Sequence, residues 1–219
     1  MKKSNLIFRS IALFIQLFTF LTISAQDITL PAPDKTGGKP LMQALNERET
    51  TRTFAKENLT QQQLSDLLWA GWGINRADQK KHTAPSSSNK QEIDVYVAMQ
   101  TGLYLYVPES NILKQINNKD IRKSCGTQAF VAEAPVNLVY VADLGKLGKK
   151  EGDDITDSNL LSSWANSAFI AQNVYLYCAS ADLACVIRAM IPRDKLAPEM
   201  GLRSNQRIIL SQTVGARVK

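Results

Sequence analysis

The sequence predicts an α+β fold with a mixed or antiparallel sheet, and three observations carry this prediction. The apolar runs IDVYVAM (93–99) and LYLYV (103–107) are separated by only three turn residues, which is the spacing of a hairpin. Two further strand-like runs, 136–142 and 207–214, stand apart from the hairpin. The longest helical pattern, 159–183, lies between those two runs, and strands separated from helices in this way are typical of α+β domains.

The first elements are an arm and two helices. Residues 26–40 are rich in Pro and Gly and predict an irregular arm, and 41–47 has the pattern of a short amphipathic helix. A second helix begins after Thr60, because Gln63 completes a capping box with it. This helix ends at its glycines, and its apolar side chains recur at helical spacing: Leu64, Leu67, Leu68 and Trp72.

The remaining connections are predicted from their polarity. Residues 74–92 and 145–158 form polar loops, and a short helical region is expected near 109–130. Pro192 and Pro198 interrupt the chain between the long helix and the last strand. The long helix carries a wide apolar face, which predicts that it is buried against the sheet.

The first 25 residues predict a secretory signal peptide. Three cations and no acid precede a mostly apolar run at 11–23, and Ser24-Ala25-Gln26 offers a small-residue cleavage site. A membrane anchor is the alternative, but thirteen residues fall short of the roughly 20 that a helix needs to cross a bilayer. We therefore expect a secreted or periplasmic protein that begins near Gln26, with one domain at 41–219 after the arm.

The positive charge of the chain does not predict nucleic-acid binding. The formal net charge is +6, and three of the positive charges belong to the predicted signal peptide. The remaining Lys and Arg are interleaved with acids, as in KKEGDD, and form no basic stripe. Nucleic acid is therefore excluded as a partner.

Three cysteines remain, Cys125, Cys178 and Cys185, and they do not predict a disulfide framework. If Cys178 and Cys185 lay on one helix, seven residues would separate them by about 10 Å of rise, which is beyond disulfide reach. We expect buried, unreactive thiols. The chain has one histidine, His82, and no Cys-x-x-Cys pair, so no metal site is predicted.

The stretch RETTRTF (48–54) places two arginines around small hydroxyl side chains. If it is extended, Arg48, Thr50 and Arg52 point to one side, because side chains alternate along an extended chain. Two guanidinium groups with a hydroxyl between them match a phosphate. A solvated surface turn is the alternative.

Two other stretches offer polar groups. HTAPSSSNKQEI (82–93) supplies hydroxyls and an amide before a strand, although a flexible surface loop would have the same composition. In ADLACVIRAM (181–190), Asp182 suits a left-handed position at the helix end. Arg188 stands in an apolar run, where a charge needs a partner.

These pieces occur in a characteristic order and resemble the nitroreductase family of flavin enzymes. The resemblance spans nearly all of residues 41–217 and is strongest to the short branch that includes thiazoline/oxazoline-oxidising dehydrogenases. The motifs that carry it are Arg-x-[Ser/Thr]-x-Arg at 48–52, LSDLLWAGWG, Pro-Ser-Ser-Ser-Asn-x-Gln at 85–91, AQNVYLYCAS leading to LACVIRA, and ILSQTVG.

The resemblance implies an α+β homodimer with one FMN in each of two interface clefts. It assigns the phosphate and ribityl chain to Arg48, Thr50 and Arg52, with Arg217 joining the phosphate site. The cleft would be lined, in part from the partner subunit, by Ser86, Ser87, Ser88 and Asn89. Backbone groups facing the flavin ring would come from Val186, Ile187, Arg188 and Ala189. No catalytic side chain is indicated, because hydride transfer belongs to the flavin.

The sequence departs from the family pattern at three places. Asp182 and Ala184 stand where the family often has glycines, and Gly215-Ala216-Arg217 replaces a Gly-aromatic-Pro ending. No long C-terminal arm follows, so the dimer is expected to rest on the long helix and on the 26–40 arm. These departures leave a non-catalytic exported flavin-binding or interaction module as the alternative function.

For an enzyme, the resemblance implies a small organic substrate. The electron donor or acceptor stays open among a quinol, a redox partner and NAD(P)H. Arg188 is a candidate for the positive group near the pyrimidine edge of the flavin, and a salt-bridged structural arginine is the alternative for that residue.

Overall fold

The computed structural model describes residues 26–218, so the predicted signal peptide lies outside the described residues. The strands are β1 (Ile28–Thr29), β2 (Ile74–Arg76), β3 (Lys81–His82), β4 (Ile93–Met99), β5 (Gly102–Val107), β6 (Ile112–Asn117), β7 (Val136–Asp143), β8 (Leu183–Arg188) and β9 (Gln206–Ala216). The α-helices are α1 (Leu41–Glu47), α2 (Gln61–Trp72), α3 (Phe130–Glu133), α4 (Asp157–Ser180) and α5 (Arg193–Met200).

One antiparallel sheet organises the domain. Its seven strands lie in the order β1-β6-β5-β4-β7-β9-β8, and β2 and β3 form a separate antiparallel pair. The predicted hairpin is present, with Met99 opposite Gly102 at its turn. The prediction of an α+β fold with an antiparallel sheet flanked by helices is confirmed.

Helices cover both faces of the sheet. The larger core cluster joins α2 and α4 to one face and includes Leu67, Trp72 and Ile170, all nearly inaccessible to solvent. The smaller cluster lies on the other face and includes Val131 of α3 and Leu196 of α5. The predicted helix start is also present, because Thr60 and Gln63 form the reciprocal capping box.

Two predictions of local structure are wrong. The region near 109–130, predicted as helical, is helical only in a short 3-10 segment at Arg122–Cys125 and at the start of α3. Its first half contains β6, because pairing with β5 and burial of Leu113 outweigh a weak local preference. The long helix ends at Ser180 and not at Leu183. Asp182 takes a left-handed conformation, with φ of 55°, that turns the chain from α4 into β8. The polar loop predicted at 74–92 also contains the short β2–β3 pair.

The 26–40 segment is part of the domain. Its strand β1 pairs with β6, and Leu30 is buried. Lys39 fixes the other end, because its amide donates to the Ser180 hydroxyl and its ammonium group bonds to Glu47 and Asp182. The arm therefore binds the end of α4 within its own chain.

The three cysteines are free and buried. Cys178 lies on α4 and Cys185 on β8, so rise along a single helix does not separate them. Burial, and then the contact with the Cys185 thiol, raise the pKa of Cys178 well above its ordinary value. Burial likewise raises the pKa of Cys125 to about 12, so both groups are thiols at neutral pH. Within residues 26–218, no helix is long and apolar enough to cross a membrane.

Candidate functional site

The segment 48–52 leaves α1 and runs beside the open edge of β8. Arg48 is extended, with φ of −61° and ψ of 119°. The Thr51 amide donates to the Cys185 carbonyl at 2.9 Å. Because β8 pairs with β9 on its other side, this bond attaches the segment to the free edge of the sheet.

Tyr175 on α4 brings the predicted residues together. The Arg48 guanidinium lies over its ring, 5.4 Å from the ring centroid. Its hydroxyl lies 3.1 Å from the Thr50 hydroxyl and accepts a hydrogen bond of 3.0 Å from the Ile187 amide. We call Arg48, Thr50 and Arg52 the clamp. The Tyr175 side chain therefore joins two clamp residues, Arg48 and Thr50, to β8, which contains residues predicted to face a flavin ring.

The guanidinium groups of this segment are not neutralised by neighbouring acids. Neither Arg48 nor Arg52 forms an ion pair with any residue in the range 26–218. Arg217 does form one, with Glu49, and so lies beside the same segment. The donor set available to an anion is thus two arginines and the exposed Thr50.

Four residues, Val186 to Ala189, were predicted to turn backbone groups toward the flavin ring. Of these, only Ile187 directs its amide and carbonyl to the open edge of β8. In an antiparallel strand the amide and carbonyl of one residue point to the same edge, and successive residues alternate. The bonds of Cys185 and Ile187 to Thr51 and Tyr175 show that these residues face the open edge. Val186 and Arg188 therefore face β9, and Ala189 lies just beyond the strand, where its carbonyl accepts from Arg193.

The Arg188 side chain lies on the opposite face of the sheet from Tyr175. It is 6% exposed and donates to four neutral groups: the Cys125 carbonyl, Asn137, Ser211 and Thr213. It forms no ion pair with a described residue, so the alternative of a salt-bridged arginine is wrong. Burial without a carboxylate lowers the pKa of Arg188 to about 10, and the group stays charged at neutral pH.

The serine-rich loop is tightly held. Ser87–Asn89 forms a short 3-10 helix in which Ser88 and Asn89 have φ near 50°. The Ser87 amide donates to Asn166 of α4, and Asn166 in turn donates to the fully buried Glu92. Positive φ is costly for residues other than glycine, so these contacts maintain a strained conformation.

The loop and the clamp do not meet within one chain. The loop is anchored at Asn166 and the clamp at Tyr175, which are nine positions apart on α4. This separation corresponds to about 13 Å of helical rise. Nine of the twelve predicted residues thus form two groups, and Val186, Arg188 and Ala189 belong to neither. The groups are Arg48, Thr50, Arg52, Ile187 and Arg217 at the clamp, and Ser86, Ser87, Ser88 and Asn89 at the loop.

The predictions from sequence did not include Tyr175, Asn166 or Glu92. Tyr175 and Asn166 lie on the buried face of a long helix. The apolar pattern of that face predicts packing and does not identify single polar groups within it. A tyrosine hydroxyl on such a face needs a partner, and this need was the available signal. A cavity of about 700 Å³ between the arm, α2 and α4 is lined by none of the predicted site residues.

Comparisons with known proteins agree with this architecture. The family model described as "Nitroreductase family" matches residues 45–216. A Methanocaldococcus jannaschii protein named as a candidate nitroreductase is 26% identical over 156 residues, which cover 67% of this chain and 76% of that protein.

Solved structures give the same result. A candidate nitroreductase from Ralstonia eutropha is 42% identical, with a TM-score of 0.82 over 90% of this chain and 92% of that chain. A Desulfovibrio desulfuricans candidate nitroreductase, solved in complex with FMN, is 17% identical with a TM-score of 0.59, covering 84% and 89% of the two chains. The second likeness shows the fold alone. From the family match and the 42% identical structure, the chain belongs to the nitroreductase family of oxidoreductases.

Proposed function

We propose that this protein is an exported, FMN-dependent oxidoreductase that acts as a homodimer on a small organic substrate. The observation that carries the proposal is the clamp beside β8. There, Arg48 and Arg52 present guanidinium groups without acidic partners among the described residues, and Thr50 adds a hydroxyl. The FMN complex of the Desulfovibrio structure supports the choice of cofactor.

The chemistry of the donor set fits a flavin mononucleotide. A phosphate monoester carries about two negative charges at neutral pH, and planar guanidinium groups bind such an anion with paired hydrogen bonds. The open edge of β8 offers the Ile187 carbonyl to the ring system, while the Ile187 amide is bonded to Tyr175. When bound, FMN supplies the hydride chemistry, and the protein supplies orientation and charge.

The partner subunit is proposed to complete the site. Because the loop at 86–89 lies about 13 Å along α4 from the clamp, a second copy would bring its own loop to this clamp. Large exposed apolar side chains favour such a dimer, since they are concentrated on two helices. Six of the nine such side chains in residues 26–218 lie there: Leu41, Met42 and Leu45 on α1, and Leu161, Trp164 and Phe169 on α4.

Arg188 is proposed to act on the flavin through its charge. Its guanidinium has only neutral hydrogen-bond partners among the described residues, so its positive charge is not cancelled locally. A positive charge near a flavin favours the reduced, anionic cofactor. An Arg188→Met variant that binds FMN with an unchanged reduction potential would remove Arg188 from this role.

The electron donor or acceptor is proposed to be one that is present outside the cytoplasm. Export is supported by the pattern of the first 25 residues. A quinol or a redox partner fits that compartment better than NAD(P)H does. The visible absorbance of FMN-loaded protein, followed after adding a quinol, a redox partner or NAD(P)H, would identify which of the three reduces the flavin.

The test is the visible absorption spectrum of purified residues 26–219, before and after FMN is added and removed by gel filtration. We expect about one FMN per subunit in the wild type and little in Arg48→Ala/Arg52→Ala. The matched control is Lys114→Ala/Lys119→Ala, which removes the same charge from exposed positions at the opposite side of the sheet. A colourless wild type would refute the proposal, and bound FMN that no donor can reduce would favour the non-catalytic module.

A further inference from the structure

We propose that Tyr175 is a positioning residue of the FMN site. Its hydroxyl fixes the 48–52 segment against β8 and directs the Thr50 proton toward the phosphate. Because this role concerns FMN, it rests on the function proposed above. It adds a residue from α4 to a site that the sequence motifs place on the segment and the strand.

The geometry gives the tyrosine hydroxyl two neighbours from different parts of the chain. The Thr50 hydroxyl lies 3.1 Å away, and the Ile187 amide lies 3.0 Å away. Tyr175 itself is 8% exposed and packs in the larger core cluster, so its ring has little freedom. A fixed hydroxyl between the 48–52 segment and β8 sets the distance between them.

The direction of the two hydrogen bonds follows from the chemistry of the groups. The Ile187 amide can only donate, so the Tyr175 oxygen accepts from it. The single tyrosine proton is then available for the Thr50 oxygen. The reverse direction at Thr50 would leave the proton of a buried phenol without an acceptor among the described residues, which is costly.

This direction prepares Thr50 for an anion. Once Thr50 accepts from Tyr175, its own proton points away from the tyrosine, and an anionic oxygen is the acceptor it lacks. Hydrogen bonds in a chain polarise one another, so the amide–tyrosine–threonine chain strengthens the final donor. Arg48 lies over the ring of the same tyrosine, and its position is therefore set by the same residue.

The experiment measures the dissociation constants of FMN and riboflavin for the full mature chain by quenching of flavin fluorescence. The variants are Tyr175→Phe, Thr50→Val and the double variant, and Tyr177→Phe is the control. Phenylalanine keeps the ring beneath Arg48 and removes only the hydroxyl. Tyr177 lies two positions along the same helix, and its hydroxyl has no side-chain hydrogen bond to a described residue.

We expect Tyr175→Phe and Thr50→Val each to weaken FMN binding by about fivefold to tenfold, the value of one hydrogen bond. The double variant should bind FMN about as tightly as the weaker-binding single variant, because both changes break the same series of hydrogen bonds. Riboflavin, which has no phosphate, should lose much less affinity. Tyr177→Phe should match the wild type.

Three results would overturn the proposal: independent, multiplying losses in the double variant, equal losses for FMN and riboflavin, or a Tyr175→Phe variant that binds FMN as the wild type does. The thermal unfolding midpoint of each variant without flavin shows whether it is folded. A general loosening would weaken both flavins equally, and so also counts against the proposal. A wild type that binds no FMN would refute the proposed function itself, which distinguishes the two failures.

Discussion

A Cβ atom on Gly126 would lie 2.0 Å from the Nη1 atom of Arg188. The glycine backbone is extended, with φ of 177°, so any residue could adopt it. Gly126 is therefore required for the space that it leaves, and that space is filled by the end of a buried guanidinium group. The relationship ties the loop before α3 to strand β8.

Gly126→Ala should destabilise the protein by displacing Arg188. The guanidinium is buried and has four hydrogen bonds to lose, so we expect the free energy of unfolding to fall by about 1–3 kcal/mol. Urea unfolding measures the change. In an Arg188→Met background the same alanine should cost less, and an equal cost in both backgrounds would show that the two residues are not coupled.

Asp182 should tolerate glycine but not alanine. Its φ of 55° is unfavourable for a side chain, and its ion pair with Lys39 is 77% exposed on the aspartate side. Asp182→Gly removes the strain and a weak pair together, so the unfolding free energy should change by less than about 1 kcal/mol. Asp182→Ala keeps the strain and loses the pair, and should be about 1 kcal/mol less stable than the glycine variant. Equal stability of the two variants in urea would contradict this account.

Glu49 should restrain Arg217. The carboxylate pairs with that arginine beside the clamp, and both groups are partly exposed. Glu49→Gln should therefore change the unfolding free energy by at most about 1 kcal/mol. FMN should bind several-fold more tightly at low salt, because the freed arginine can turn to the phosphate, and the gain should shrink as salt is added. Glu57→Gln, at an exposed acid that forms no ion pair with a described residue, should show no gain, and an equal gain would point to general charge effects.

His82 should make the fold sensitive to mild acid. Its ring stacks on Trp72 at a centroid distance of 4.0 Å, and its Nδ1 donates to the Trp72 carbonyl at 2.8 Å. Burial lowers the pKa of His82 below the ordinary value of 6.5. The unfolded chain then binds the proton more readily, so stability is full above about pH 6.5 and falls as the pH drops toward the folded-state pKa.

The measurement is the thermal unfolding midpoint from pH 8 to pH 5. His82 is the only histidine in the chain, so His82→Phe should flatten the fall in midpoint just below pH 6.5, whatever it does to the midpoint at pH 8. Phenylalanine preserves the stacking and removes the titrating group. The same slope in wild type and variant would assign the acid sensitivity to carboxylates.

The elements with local signals could be predicted from the sequence. Helix α1 has the predicted bounds, and the start of α2 follows from its capping box. Strands β6 and β8 were not predicted, because a short apolar run does not distinguish helix from strand. Their identity depends on pairing with β5 and β9, which are distant in sequence or beyond a turn, and on the left-handed Asp182.

The candidate site was predictable in its charges and not in its connections. The spacing of Arg48 and Thr50 indicated that they share a side, and both contact Tyr175. Tyr175 comes from a helix more than a hundred positions later, and no local sequence pattern predicts its contact with Thr50. The surroundings of Arg188 were equally hidden, because its four acceptors come from three separate parts of the fold.

The pairing of β1 with β6 affects how the sheet is completed during synthesis. Ile28 lies opposite Leu113, so the strand that is made first waits for a partner made much later. Whenever the first strand is detached, β6 presents unpaired backbone groups that can pair with another chain. Ile116 on that strand is 38% exposed and would add apolar surface to the encounter. Residues 26–30 therefore cover the edge of β6 and prevent another chain from pairing with it. Their removal should cause aggregation under conditions in which the rest of the sheet is still folded.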